Sequence, residues 1–489
     1  MCWRSESSVE DLLITDCGTY RKPEGKFRYG SYIKASHKEA PIPGCHKEEE
    51  QEGDRRYCQV HNSHPVQSNE PADEPVKCDS NSMGVKVFSD EPLSASNANL
   101  LADTPSTSPG IIIAPPLGVD NQADYFRGSG SITKQKNVLS RVFDILKGCR
   151  PGADISSVCV PAAFNFPKSQ VQLFAEQVYC CSQNLLEQCA DAATPLDRFL
   201  AVLRWQISLT RPAPFLKAPY NPILGETHHV SAGELNLIAE QVSHHPPETA
   251  VYATNTKKGI QFFQSCKPSP RFWGNSLEVT LLGRQCLVLA EHGEMYDMTP
   301  PKLTFRFLPV SCSEWTGVTT LRCAVTGLEA TVSYKARSLL RGVCNKINGT
   351  IQSTSSGKVL HTLTGQWDKT VFLEDTETGS KTVFYDGNVA LSNLKCPEIK
   401  NEQALSPMES VNVWSKVTER LWREDWDGSR EAKFSVEENQ RTLRKKRSQA
   451  GETWQPKYFT KTVHEEWEWA LKGQPVPQGP IECEGLKIH

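Results

Sequence analysis

From Leu235 to Asp386 the chain alternates short apolar or β-branched runs with turn residues. LNLIAEQV, ETAVYAT, GIQFFQSC, NSLEVTLLG, QCLVLAEHG, KLTFRFLP, ATVSYKA, NKINGTIQ, KVLHTLTGQW and KTVFYDG follow one another, joined by turns such as NTKKG. Many short strands in succession read as an antiparallel meander that curls into a barrel. A large barrel can enclose a ligand cavity. The expected class is therefore α+β, dominated by a large curled antiparallel β-barrel over about residues 220–390.

Helices flank the meander. In KNVLSRVFDILKG, the residues Val138, Leu139, Val142, Phe143, Ile145 and Leu146 recur at helical spacing and predict an amphipathic helix ending near Gly148. It is either an ordinary core helix or a lid over a cavity, about residues 136–150. The stretch 168–210 supplies two or three more helices. After Asp386 helices return, over about 405–489: Trp414, Val417 and Leu421 form an apolar stripe, Gly428 is expected to break the helix, and the charged segment REAKFSVEENQRTLRKKR follows.

Residues 1–130 differ from the rest. HKEEEQEGDRRY, NEPADEPVKCDSNS and LADTPSTSPG are polar and punctuated by proline, too poor in apolar surface to offset chain entropy. This region is expected to be mostly disordered, with an ordered domain at 131–489. The net charge of −3 argues against nucleic-acid binding. The N-terminus lacks a basic stretch followed by an apolar run, and no apolar stretch is long enough to span a bilayer. A cytoplasmic chain, peripheral to membranes, is expected. The 17 cysteines include no C-x-x-C and read as reduced buried thiols. No nucleophile–base constellation stands out, and FRGSGSITK lacks the spacing of a phosphate-binding loop, so neither catalysis nor a cofactor is expected.

The strongest chemical signal is EQVSHHPPETA. Pro246 and Pro247 end or bend a strand at His244 and His245. A bend there brings two imidazoles to one object, and two such donors suit a phosphate. The plain alternative is a pair of satisfied structural histidines. A second pair, His228 and His229, raises the thought of a metal, but no carboxylate or cysteine stands at a familiar ligand spacing, and no metal is expected. On the charged C-terminal helix, Lys433, Glu437 and Arg441 fall at i, i+4 and i+8. They form either a solvated ladder or a row offering two cations and a carboxylate to a phosphorylated sugar. The basic run 441–447 suits an anionic membrane surface.

EQVSHHPP, together with RPGADISSVCVPAAFNFPKS, APYNPILGETHH, RFWGNSLEV, GQWDKTVF, LWREDWDGSREAKFSVEENQR and WQPKYF, resembles the oxysterol-binding-protein-related family of lipid-transfer proteins over about residues 137–460. The match is to a short member, without an evident pleckstrin-homology domain. The resemblance implies a barrel around a lipid tunnel closed by an N-terminal lid. It further implies phosphatidylinositol 4-phosphate as a ligand, with a sterol or phosphatidylserine as the exchanged lipid. His244, His245 and Arg441 would grip the 4-phosphate; Asn221, Glu226, Lys433 and Glu437 would complete the head-group contacts. In one departure, the family's lysine before the proline of KPYNP is Ala218 here, with Lys217 one residue earlier. A one-residue slip reverses side-chain direction in an extended segment. The implied function is non-enzymatic exchange by a monomer at organelle contact sites; the alternative is a lipid sensor or scaffold. Exchange is physically sensible, since each methylene exposed to water costs about 0.8 kcal/mol and a carrier must enclose the chains.

Overall fold

A computed structural model describes residues 111–116, 140–156, 158, 160–180, 184–338, 342–392, 394, 396–463 and 466–483. Its centre is a large, mostly antiparallel sheet of 17 strands among the described residues. Thr227–Ala232, Leu235–His244, Pro247–Asn255 and Ile260–Phe272 are joined as successive hairpins. The last of these is long enough to serve two neighbours. Its first half pairs with Gln285–Leu289 and its second half with Ser276–Leu282. Gln285–Leu289 then pairs with Glu294–Met298, and the meander runs on through Lys381–Asp386. The strand order places Glu398–Ile399 and Ile481–Glu482 between Lys381–Asp386 and Thr227–Ala232. Ile481–Glu482 pairs in parallel with Thr227–Ala232 and antiparallel with Glu398–Ile399, so short strands from the C-terminal part of the chain cover the outer edge of the meander's first strand.

Three helices, Gln170–Tyr179, Leu185–Asp191 and Pro195–Ser208, pack on one face of this sheet. The third begins where Thr194 accepts a hydrogen bond from the Asp197 N–H at 3.1 Å, with Pro195 in the first turn. It buries Phe199, Val202, Leu203, Trp205 and Ile207 in the same core as Leu237, Ala239, Phe262, Leu287 and Leu321. Trp205 meets Phe262 edge-on at 5.4 Å. On the opposite face, Ile238 and Val242 pack with Phe459, Trp467, Trp469 and Val476. Strand Leu235–His244 is therefore buried on both sides. That explains why LNLIAEQV reads as an apolar run rather than an alternation.

Three expectations change. The C-terminal part is helical only to Ala450; beyond it, Phe459–Lys461 and Trp467–Trp469 form a hairpin, because the aromatic side chains alternate to cover the sheet. Gly428 does not break a helix. It lies in the first turn of Trp426–Ala450, where its N–H donates to the Asp425 carboxylate at 2.9 Å, and the break falls at Glu424, whose φ is 54°. A Cβ at Gly428 would collide with that carboxylate. Finally, residues 111–116 pack against the helical core, so the ordered domain extends N-terminal to residue 131. Ile111 and Ile113 meet the apolar core, Ala114 is buried, and the Pro115 carbonyl accepts from Lys168 at 3.0 Å. The rest of 1–130 lies outside the described residues.

Candidate functional site

His244 ends one strand and Pro247 begins the next, paired directly opposite. Val242 is an extra residue in the ladder, because the register shifts between Gln241 and Ser243. His245 and Pro246 form the turn, and the peptide between them is cis. Three bonds hold the turn: Thr249 Oγ1 to Gln241 Oε1 at 2.6 Å, Gln241 Nε2 to Ser243 O at 2.8 Å, and Ser243 Oγ to Pro246 O at 2.7 Å. Side chains adjacent on a straight strand diverge. Here the imidazole centroids of His244 and His245 lie 4.5 Å apart at 66°. His244 is half-buried and donates from Nδ1 to the Pro222 carbonyl at 3.0 Å, while His245 is exposed. Burial, then the neighbouring His245, pushes His244 down to about 4; burial and Arg444 lower His245.

The cations come from two other elements. Lys433 is buried, bonded to the Val160 carbonyl and 3.5 Å from Glu437. Lys217 Nζ donates to the Ala163 carbonyl at 2.8 Å, and burial lowers its pKa. Both ammonium groups thus bond the same short stretch, 160–163. The departure noted in the sequence has a structural counterpart: Ala218 lies in a short strand opposite Asn165, whose Nδ2 bonds the Ala218 and Pro219 carbonyls at 3.1 and 3.0 Å. Asn221 follows, exposed.

The helix row is only partly brought together. Arg441 bonds Glu438 at 2.8 Å and lies 5.6 Å over Phe434. Arg444, which the i, i+4, i+8 row does not include, contributes to lowering both histidines electrostatically. Helical geometry explains it. At about 100° per residue, Arg441 has drifted about 80° from Lys433, whereas Arg444, eleven residues on, returns to within about 20°. The buried residues Ser429, Lys433 and Gln440 trace that same stripe.

Glu226 is fully buried. Its carboxylate accepts from Ser410 Oγ at 2.7 Å, Trp414 Nε1 at 2.9 Å and the Ile223 N–H at 3.0 Å. Burial raises its pKa and these bonds oppose the rise. Its donors are all internal, so the geometry makes it an anchor for the NPILGE loop rather than a contact at the surface. The second histidine pair is likewise occupied within the fold. His228 bonds Glu409 at 2.7 Å and lies 3.4 Å from the Tyr179 hydroxyl, and His229 donates to the Pro477 carbonyl at 2.7 Å.

In the expected lid, residues 140–145 are helical. Val142 and Leu146 are buried in a separate apolar cluster with Phe164, Leu216, Phe305 and Phe307, and Phe143 meets Phe307 edge-on at 5.4 Å. Leu216 precedes Lys217, so this helix packs beside the rim. Val138 and Leu139 lie outside the described residues.

A large curled meander with helices on one face, an apolar helix beside Leu216 and a histidine pair at a strand turn are the features on which the family assignment rests. The chain belongs to the oxysterol-binding protein family: a family profile described as "Oxysterol-binding protein" matches residues 141–424. Oxysterol-binding protein-related protein 4B of Arabidopsis thaliana is 36% identical over 377 residues, covering 76% of this chain and 97% of that protein. Oxysterol-binding protein-related protein 5 of Homo sapiens is 32% identical over 357 residues, covering 70% of this chain and 40% of that protein. Among solved structures, the Osh1 ORD domain in complex with ergosterol has a TM-score of 0.58 at 22% identity, covering 74% of this chain and 90% of that one. The Osh3 ORD in complex with PI(4)P from Saccharomyces cerevisiae has a TM-score of 0.55 at 23% identity, covering 69% and 91%. Among the described residues, no helix is long and apolar enough to cross a membrane.

Proposed function

We propose that the chain is a non-enzymatic lipid exchanger that binds phosphatidylinositol 4-phosphate and, in the same cavity, a sterol or phosphatidylserine. The observation that carries this reading is the convergence of His244 and His245, whose rings sit 4.5 Å apart at the strand turn. In this reading the histidines and Arg444 hold the 4-phosphate. Lys433, Glu437, Asn221 and Lys217 surround the inositol ring, Arg441 reaches the phosphate by turning away from Glu438, and Glu226 positions the loop that carries Asn221. The helix bearing Val142, Phe143 and Leu146 closes over the acyl chains. The protein works as a cytoplasmic monomer that touches anionic membranes peripherally, and exchange follows from two lipids competing for one space without a covalent step.

The test is transfer of phosphatidylinositol 4-phosphate between donor and acceptor liposomes by the full chain and by His244→Ala/His245→Ala. Transfer that vanishes in the double variant, with the unfolding midpoint held within a few degrees, supports exchange. A large fall in the midpoint would make the histidines structural. Binding without transfer would favour the sensor.

A further inference from the structure

Beyond Arg444 the same helix face continues. Arg447, fourteen residues from Lys433, lies within about 40° of it on the helix. There Lys446 and Arg447 face Trp454 and Gln455 across a groove of about 560 Å³. The Arg447 guanidinium lies 5.6 Å over the Trp454 ring. Nη2 of Arg447 and Nε1 of Trp454 are both buried, and neither has a hydrogen-bond partner among the described residues. A buried donor left unpaired costs about 1–3 kcal/mol, more when it is charged. Both side chains line the groove, so a small outward turn of either would bring its unpaired donor to a ligand held there.

The walls are fixed before any ligand arrives. The edge of the Trp454 ring comes so close to Gly225 that a Cβ there would lie 2.5 Å from it, and Gly225 has a φ of +82°. The buried Glu240 carboxylate accepts from the Lys457 and Tyr458 N–H groups at 2.7 and 2.8 Å, holding the segment that follows Trp454. On the other side the helix is closed by a bond from the Glu452 N–H to the Arg447 carbonyl at 2.9 Å. The charge balance favours an anion. Glu452 also lines the groove, and the helix C-terminus adds about half a negative charge. Against these stand Lys446 and Arg447, which line the groove.

We propose that this groove is a second anion site, separate from the histidine turn, and that it takes a phosphate group. The phosphate belongs either to a soluble molecule or to the phosphomonoester head group of a membrane lipid; the planar guanidinium fork suits both.

The experiment titrates the full chain with inorganic phosphate by calorimetry, and separately floats it with phosphatidylcholine vesicles made with and without phosphatidic acid. Wild type, His244→Ala/His245→Ala, Arg447→Gln and Trp454→Phe are compared. The double-histidine variant is expected to keep the site. Arg447→Gln should weaken binding by about tenfold or more, as loss of a charge-assisted bond implies, and Trp454→Phe, which keeps the ring but removes the donor, should weaken it less. Arg447-dependent binding of free phosphate identifies a soluble source; Arg447-dependent flotation without free-phosphate binding identifies the lipid. The proposal is overturned if Arg447→Gln matches wild type in both arms, or if the double-histidine variant alone abolishes phosphate binding.

Discussion

The Nδ1–H of His244 is committed to the Pro222 carbonyl, 3.0 Å away. A neutral His244 therefore turns an acceptor, Nε2, toward any ligand on its other side. To donate to a phosphate it must gain a second proton, yet burial, the adjacent His245 and Arg444 hold it down to about 4 while the rim is empty. A phosphate dianion opposes all three and raises that value. Binding near neutrality should take up a proton, so affinity for phosphatidylinositol 4-phosphate should rise as pH falls from about 8 to about 6. Calorimetry in buffers of different ionisation enthalpy reads the uptake directly. A binding heat that does not change with buffer would mean that His244 stays neutral in the complex.

Much of this rim was legible in the sequence, because proline imposes its geometry locally. Pro246 and Pro247 mark the end of a strand wherever they occur, and His244 and His245 are carried to the bend with them. The meander itself was legible for a similar reason, since short runs between turn residues leave few alternatives to hairpins. Arg444 was not legible. A ladder of i, i+4 and i+8 is easy to see in KFSVEENQR, but it winds around the helix, and only the buried stripe of Ser429, Lys433 and Gln440 reveals which face meets the sheet. The partners of Glu226 were not legible for another reason: Ser410 and Trp414, which donate to its carboxylate, lie almost two hundred residues away in the chain.

Glu226 accepts from Ser410, Trp414 and the Ile223 N–H while fully buried. Glu226→Ala leaves these donors without a partner and should destabilise the fold by about 3 kcal/mol or more. Glu226→Gln keeps one acceptor oxygen and should cost less. Chemical unfolding checks the order. A direct head-group role would instead leave stability unchanged in Glu226→Ala and remove only lipid binding.

Lys168 is almost fully buried, paired with Glu176 and bonded to the Pro115 carbonyl. A chain that starts at residue 131 loses that carbonyl and uncovers the core beside Ile111 and Ile113. It should unfold at a lower denaturant concentration than a chain starting at residue 108, by about 1–3 kcal/mol for the lost bond and apolar contact together. Equal midpoints would show that 111–116 contributes nothing to the domain.

Lys217 and Ala218 supply the last test, because the slip between them separates charge from position. The Lys217 ammonium is bonded to Ala163 and partly buried, where charge is costly, so its first duty is to the 160–164 turn. Lys217→Met should therefore lower stability, by about 1 kcal/mol, more clearly than it lowers head-group affinity. At Ala218 the neighbouring side-chain direction is open to a longer residue: the position is partly exposed, and the bonds from Asn165 involve the backbone carbonyl, not the methyl group. Ala218→Lys adds a cation at the place where the family motif carries one. A new charge-assisted bond to a phosphate is worth about 1.5–3 kcal/mol, so affinity for phosphatidylinositol 4-phosphate should rise about tenfold or more, with unfolding unchanged. Vesicle extraction by the two variants separates the positions. An Ala218→Lys chain that binds no better than wild type would mean that the side chain at 218 points away from the head group, and that Lys217 already supplies the cation.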